Sequence, residues 1–369
     1  MNEFESRLRD ALHATADTVD EYKERPLPSH AVSAGTSSRR LIPVLAAVAV
    51  LLLLAGALGV RHLLHDAPKP MRKTFVVPKF VVAAMPASKT RPSRLEVREI
   101  QGGRLAGSRQ IADRRLQFSQ VVGSGDGRTF LVVVSDKGPD SCSAEIRRLT
   151  LGPSGAIEDI QPTGLSFPFS AVRDLAISPD GRRIAYSRTC AGDQNDMGVY
   201  DTVTRAKTTW TIPTPQFVSG LAWTPDGRGL ALVVFTPGAD PAGGQARLLS
   251  PGRASQGDVV SSSSRILDAS PGAWLNAIRV GPDGRSAAVY AIYYSKQRAV
   301  GTKVITVSLT SGKQSSAVPV PIDRDPMPAV LESEGSGRYL LTQAGVVDLQ
   351  QGGRIQRIAG LSGALDITW

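Results

Sequence analysis

Beyond residue 70 the apolar residues fall in short runs or alternate with polar ones, and helical spacing is almost absent. Apolar blocks and period-two alternation, bounded by Gly, Pro, Asp and Ser, predict many short strands. The unit is plainest in "AISPDGRRIAYS", "AWTPDGRGLALV" and "RVGPDGRSAAVY". In each, two apolar runs flank a Pro-Asp-Gly turn. Pro179, Pro225 and Pro282 preset φ at the first corner of the turn. Asp180, Asp226 and Asp283 can bond the backbone of their own turn, and Gly181, Gly227 and Gly284 take a positive φ without steric cost.

Degenerate copies of this hairpin centre on Asp126-Gly127 and Ser336-Gly337, and an Arg follows the Gly in all five. Successive copies are separated by 54, 46, 57 and 53 residues, the spacing of β-propeller blades. A second hairpin type occurs six times, starting at Leu95, Ala144, Met197, Ala246, Lys303 and Gly345. Six outer hairpins need a sixth inner pair, and the two ends of the chain supply it. "ALDITW" places Ile367 and Trp369 where Leu221 and Trp223 stand in the inner strand of another unit, and "KFVVAAM" at residues 79–85 provides its partner. The expected fold is therefore all-β: a six-bladed propeller of four-stranded antiparallel blades over residues 75–369. Its C-terminal strand closes the first blade and so removes an exposed sheet edge.

The pattern before residue 75 is different. Phe4, Leu8, Leu12, Thr15, Val19 and Tyr22 recur three and four apart, which predicts an amphipathic helix over residues 2–24. A Pro/Ser/Gly-containing linker follows, completing an N-terminal tail of residues 1–40. Leu41–Val60 is a run of twenty residues without a charge, long enough for one transmembrane helix. A cleaved signal peptide is the competing reading; the 40-residue leader and the length of the apolar run weigh against it. Residues 61–74 form a basic stalk. Arg39 and Arg40 before the run are balanced by Arg61, Lys69, Arg72 and Lys73 after it, so flanking charge does not fix the orientation. Export of the large C-terminal domain is the expectation, with the N-terminus in the cytoplasm, because a long folded domain translocates largely regardless of its charge.

Cys142 and Cys190, the only cysteines, fall in equivalent loops of consecutive units and form a candidate disulfide suited to an oxidising compartment. The Pro-Asp-Gly hairpins resemble those of TolB-like and WD-repeat-like propellers. The order of tail, single span and propeller resembles single-span membrane propeller proteins of actinobacteria, although the Gly-His and Trp-Asp pairs of true WD repeats are missing. That resemblance implies a membrane-anchored propeller, with a sigma factor as a conceivable cytoplasmic partner of residues 1–40.

Catalytic chemistry is sparse. His13, His30, His62 and His65 all precede the propeller, which leaves it without a Ser-His-Asp triad or a His-ligated zinc. "VGSGDGRT" lacks the Lys-Ser/Thr end of a phosphate loop and occupies a hairpin position. "AGDQNDMG" has Asp193, Asn195 and Asp196 but no distal Glu to complete a calcium loop. No catalytic residue, metal or cofactor is expected. Residues 61–369 carry 37 Lys or Arg against 26 Asp or Glu. This excess suits a soluble surface or attraction to anionic lipid or wall polymer. Nucleic acid is not expected, since aromatics do not interleave with the basic residues. The leading expectation is a non-enzymatic module that binds a protein or wall ligand. The alternative is a lactonase- or lyase-like enzyme using carboxylates and a metal in the central channel.

Overall fold

The computed structural model describes residues 78–136, 143–167, 170–190, 195–236, 243–252, 257–295, 298–320, 332–333, 338–342, 345–351, 353–361 and 363–369. The tail, the apolar run, the stalk, Asp193, Cys142 and the Ser336-Gly337 turn lie outside these residues. Among the described residues no helix is long and apolar enough to cross a membrane.

Among the described residues, twenty-four strands form six four-stranded antiparallel sheets. Blade 1 holds β1 (Phe80–Met85), β2 (Arg94–Glu99) and β3 (Leu105–Gln110). Blade 2 is β4 (Leu116–Gly123), β5 (Thr129–Asp136), β6 (Ala144–Leu151) and β7 (Ile157–Phe167). Blade 3 is β8 (Ser170–Ile177), β9 (Arg183–Cys190), β10 (Asn195–Asp201) and β11 (Lys207–Ile212). Blade 4 is β12 (Phe217–Trp223), β13 (Leu230–Phe235), β14 (Gln245–Leu249) and β15 (Ser263–Asp268). Blade 5 is β16 (Ala273–Val280), β17 (Ser286–Ser295), β18 (Arg298–Ser308) and β19 (Gln314–Val320). Blade 6 has the short strands β20 (Glu332–Ser333), β21 (Tyr339–Thr342), β22 (Gly345–Asp348) and β23 (Arg354–Gln356). The last strand, β24 (Asp366–Thr368), joins blade 1 in the order β24-β1-β2-β3.

The second strand of each blade explains why the sequence reads as apolar blocks. In β1, Val82 and Ala84 pack against blade 2, while Val81 and Ala83 pack on the opposite side against blade 6. In β5, Val132 and Val134 face blade 1, and Leu131 and Val133 face blade 3. A strand buried on both faces needs apolar residues at every position, so alternation disappears there. Among the described residues the core is accordingly six clusters, one between each pair of neighbouring blades.

Closure follows the expected plan. Val82, Ala83 and Ala84 of β1 pair with Thr368, Ile367 and Asp366 of β24. Ile367 and Trp369 are buried in the cluster between blades 6 and 1. The same strand is tied to blade 2: the Gly123 N–H donates to the Thr368 hydroxyl at 2.7 Å, and the Val121 N–H donates to the Asp366 carboxylate at 2.9 Å.

At the other end of these inner strands lie the Pro-Asp-Gly turns. Gly181, Gly227 and Gly284 have φ of 71°, 67° and 64°, and their N–H groups close the turns onto Ser178, Thr224 and Gly281. Neighbouring turns interlock. Arg183 donates to the Gly227 carbonyl at 2.6 Å and lies 4.6 Å over the Trp223 ring, whose indole N–H reaches the Ala176 carbonyl.

One outer hairpin differs from expectation. After β14 the chain does not return within "SPGRASQ"; β15 begins only at Ser263. Arg247, buried without a carboxylate partner among the described residues, holds the longer connection by donating to the Ser263 hydroxyl, the Ser263 carbonyl and the Val260 carbonyl. Val259 then packs into the cluster between blades 3 and 4, and Asp258 bridges to Thr211 of β11.

Candidate functional site

Aligned on their turns, the inner strands share an irregularity. β4, β8, β12 and β16 each carry a bulge, at Ser119, Arg173, Gly220-Leu221 and Asn276. A bulge re-aims side chains and leaves backbone groups outside the ladder. Here it turns Ser119, Gln120, Arg173, Asp174, Ser219 and Asn276 toward the axis, where they line a cavity of about 200 Å³ together with Arg279 and Asp366.

The freed N–H groups are taken up by carboxylates of the preceding blade. Asp174 of blade 3 accepts from Leu221 of blade 4 at 3.1 Å and from its own neighbour Leu175 at 2.7 Å. Asp366 of blade 1 does the same with Val121 of blade 2 and with Ile367. Burial dominates at Asp174 and pushes its carboxyl up to about 6, against the three backbone N–H groups that favour the ionised form. The folded protein therefore holds a proton there more tightly than the unfolded chain does. This contribution favours folding below the ordinary carboxylate value of 3.8 and is lost as pH rises through about 6. Asp174→Asn keeps only one acceptor and costs about 1–3 kcal/mol at acid pH. Its deficit against the parent protein should shrink between pH 4 and pH 7, read from melting temperatures across that range. A constant deficit would assign an ordinary carboxyl to Asp174.

The end of the channel opposite the turns, its mouth, is where inner strands begin and second strands end. Phe217 and Phe235 stack across blade 4 with ring centroids 5.9 Å apart. Phe235 meets Trp274 of blade 5 at 5.3 Å, and Trp274 meets Tyr294 at 6.1 Å. All four rings are half-buried. Exposed Arg173 extends the row onto blade 3, its guanidinium 5.9 Å from the Phe217 ring while it donates to the Thr189 hydroxyl.

Buried polar atoms without a partner among the described residues are Trp274 Nε1 in the row itself, Gln216 Oε1 next to Phe217, Asn195 Oδ1, and Gln120 Oε1 and Asn276 Nδ2 in the cavity lining. Each such atom costs about 1–3 kcal/mol unless a water or ligand supplies a bond. Those on Trp274, Gln216 and Asn195 lie at the mouth, where the Asn195 amide donates to the Gln216 carbonyl beside Phe217.

Several sequence candidates fall elsewhere. The Pro-Asp-Gly residues lie on the turn face, away from the mouth. Asn195 and Asp196 belong to β10, where Asp196 forms a bidentate pair with Arg188 rather than one side of a cation loop. Cys190 ends β9 on the mouth side, and its expected partner lies outside the described residues. Among the described residues no three His, Cys, Asp or Glu side chains are grouped to hold a metal. Asp174, Asp366 and the aromatic row were not among the sequence candidates. Aligning the inner strands on their turns shows a signal for the first two, since "VRDLAI" and "LDITW" put Asp at one position of an otherwise apolar strand.

No protein-family model and no curated protein matches the sequence. Solved structures do. A chain of a nidogen/laminin complex aligns with a TM-score of 0.53 and 9% identity, covering 78% of this chain and 97% of the other. TolB from Acinetobacter baumannii aligns with a TM-score of 0.47 and 14% identity over 80% of this chain and 68% of its own. A putative TolB from Agrobacterium tumefaciens gives 0.44 and 14% over 76% and 87%. The nidogen/laminin alignment is a likeness of fold alone.

Proposed function

We propose that this chain is a membrane-anchored, non-catalytic binding protein whose exported propeller presents its mouth to a protein or wall ligand. The observation that carries this reading is the continuous aromatic row at the mouth, with partnerless polar atoms beside it. Half-buried aromatics next to Arg are the composition of interface hot spots. The channel carboxylates support a binding role over an enzymatic one, because Asp174 and Asp366 each have both oxygens engaged by backbone N–H groups. The N-terminal tail, residues 1–40, would serve a cytoplasmic partner such as a sigma factor, as the layout of the sequence suggests.

Phe217→Ala combined with Trp274→Ala tests the mouth. Hot-spot truncations cost at least about 2 kcal/mol each, so the pair should weaken capture of whatever the wild-type chain retains by about a thousandfold. Binding assays would be run alongside melting curves, so that a fold defect is recognised. Retention of full affinity by a folded double variant would move the binding surface away from the mouth.

A further inference from the structure

The turn face carries charge in a regular order. Arg128, Arg182, Arg228 and Arg285 follow the turn glycines of four consecutive blades, and all four are exposed. The turn aspartates Asp126, Asp180, Asp226 and Asp283 are exposed as well, but each carboxylate is turned back on its own turn, accepting from the backbone N–H groups of those same arginines at 2.7–3.1 Å. The guanidinium groups are left at the surface. Arg182 reaches Asp201 only at 3.4 Å, and Arg128, Arg228 and Arg285 enter no ion pair among the described residues. Exposed Lys79, Arg205 and Lys313 stand at the same end of the blades. Between the turns of blade 5, Arg285 and Lys313 share a shallow hollow with Asp283 and the hydroxyls of Ser286, Ser308, Ser311 and Ser315. The Ser286 and Ser315 hydroxyls already donate to the Asp283 carboxylate and the Thr306 carbonyl, which leaves Arg285, Lys313 and the Ser308 and Ser311 hydroxyls to face a phosphate monoanion or diester.

The chain also enters the ring on this face. β1 starts at the turn end, where Phe80 packs against Gly155 in an outer turn of blade 2. Only residues 61–77 separate Pro78 from the uncharged run that ends at Val60, a reach of no more than about 60 Å even when fully extended.

We propose that the turn face docks on an anionic lipid surface, with the arginine ring contacting phosphate headgroups and the mouth directed away from the bilayer. This rests on the membrane-anchored reading for the reason face and bilayer meet. The tether holds the two at high effective concentration, so weak contacts suffice. Each basic residue near an anionic leaflet strengthens association several-fold, and salt weakens it.

The test isolates the face from the anchor. Residues 74–369 form a compact unit whose six sheets and six clusters all lie within it, so this piece can be examined without the apolar run. It is sedimented with phosphatidylcholine vesicles and with vesicles containing phosphatidylglycerol. The expected result is binding to the anionic vesicles alone, lost at high salt. It should fall at least about tenfold in an Arg128→Gln/Arg228→Gln/Arg285→Gln variant and be unchanged in Arg109→Gln, an exposed arginine on β3 at the end of the blade away from the turns. Circular dichroism confirms that both variants are folded. Equal behaviour with neutral and anionic vesicles, an equal loss in Arg109→Gln, or binding to soluble polyphosphate but not to vesicles would each overturn the proposal. Anchoring by the apolar run is read separately, by whether the full chain resists alkaline extraction from membranes, so either reading can fail without the other.

Discussion

A chain ending at Ala364 will not hold its ring closed. It loses β24, the three residue pairs with β1, and the burial of Ile367 and Trp369 between blades 6 and 1. The Val121 and Gly123 N–H groups of blade 2 also lose the acceptors on Asp366 and Thr368. Truncating a buried Trp alone costs about 3–5 kcal/mol, and an entire domain is stable by only about 5–15 kcal/mol. The edge of β1 would in addition be bared to pair with other chains. Little soluble protein and early proteolysis are expected, and Trp369→Ala should show a smaller drop in melting temperature in the same direction. A truncated chain melting like the full one would mean that the ring is closed by something other than β24.

Gly220→Ala is expected to be strongly damaging for a single added methyl in the inner ring. Gly220 has φ of 62°, in a bulge that lies directly against blade 5. A Cβ there would stand 2.7 Å from the Cα of Ala277 and 2.7 Å from the N of Ile278, both backbone atoms that cannot swing aside. Backbone strain and displacement together should cost about 2–4 kcal/mol. Gly181→Ala provides the contrast. Its φ is 71°, yet a Cβ meets nothing within 4 Å, so only the conformational penalty of about 1–2 kcal/mol applies. Denaturant midpoints of the two variants give the comparison directly. Equal losses would show that φ alone matters and that blades 4 and 5 do not approach as closely as described.

These contrasts show how much the sequence could reveal. The Pro-Asp-Gly turns are legible because their chemistry is local: each residue answers a dihedral requirement of its own turn. The closure by Ile367 and Trp369 is legible too, because counting inner and outer hairpins leaves one strand missing and the chain ends match it. The connection from Ser250 to Ser262 is not, since its anchor is Arg247, an arginine that sequence patterning assigns to a surface. Nor is the aromatic row. Phe217, Phe235, Trp274 and Tyr294 come from four strands in two blades, and only the ring geometry brings them together. Asp174 and Asp366 act on the backbone of the following blade, so the need for a carboxylate appears only when the bulge and its freed N–H are seen side by side.

The mouth as the working face is the centre of this account, and hydrogen exchange on the full chain tests it most directly. Exchange would be compared between the chain in the membranes of the cell that makes it and the same chain purified in detergent. The account predicts slower exchange in the membrane sample at residues 214–220, 231–235 and 270–276, the segments that carry Phe217, Phe235 and Trp274. Exchange at those three segments that is the same in both samples would contradict it.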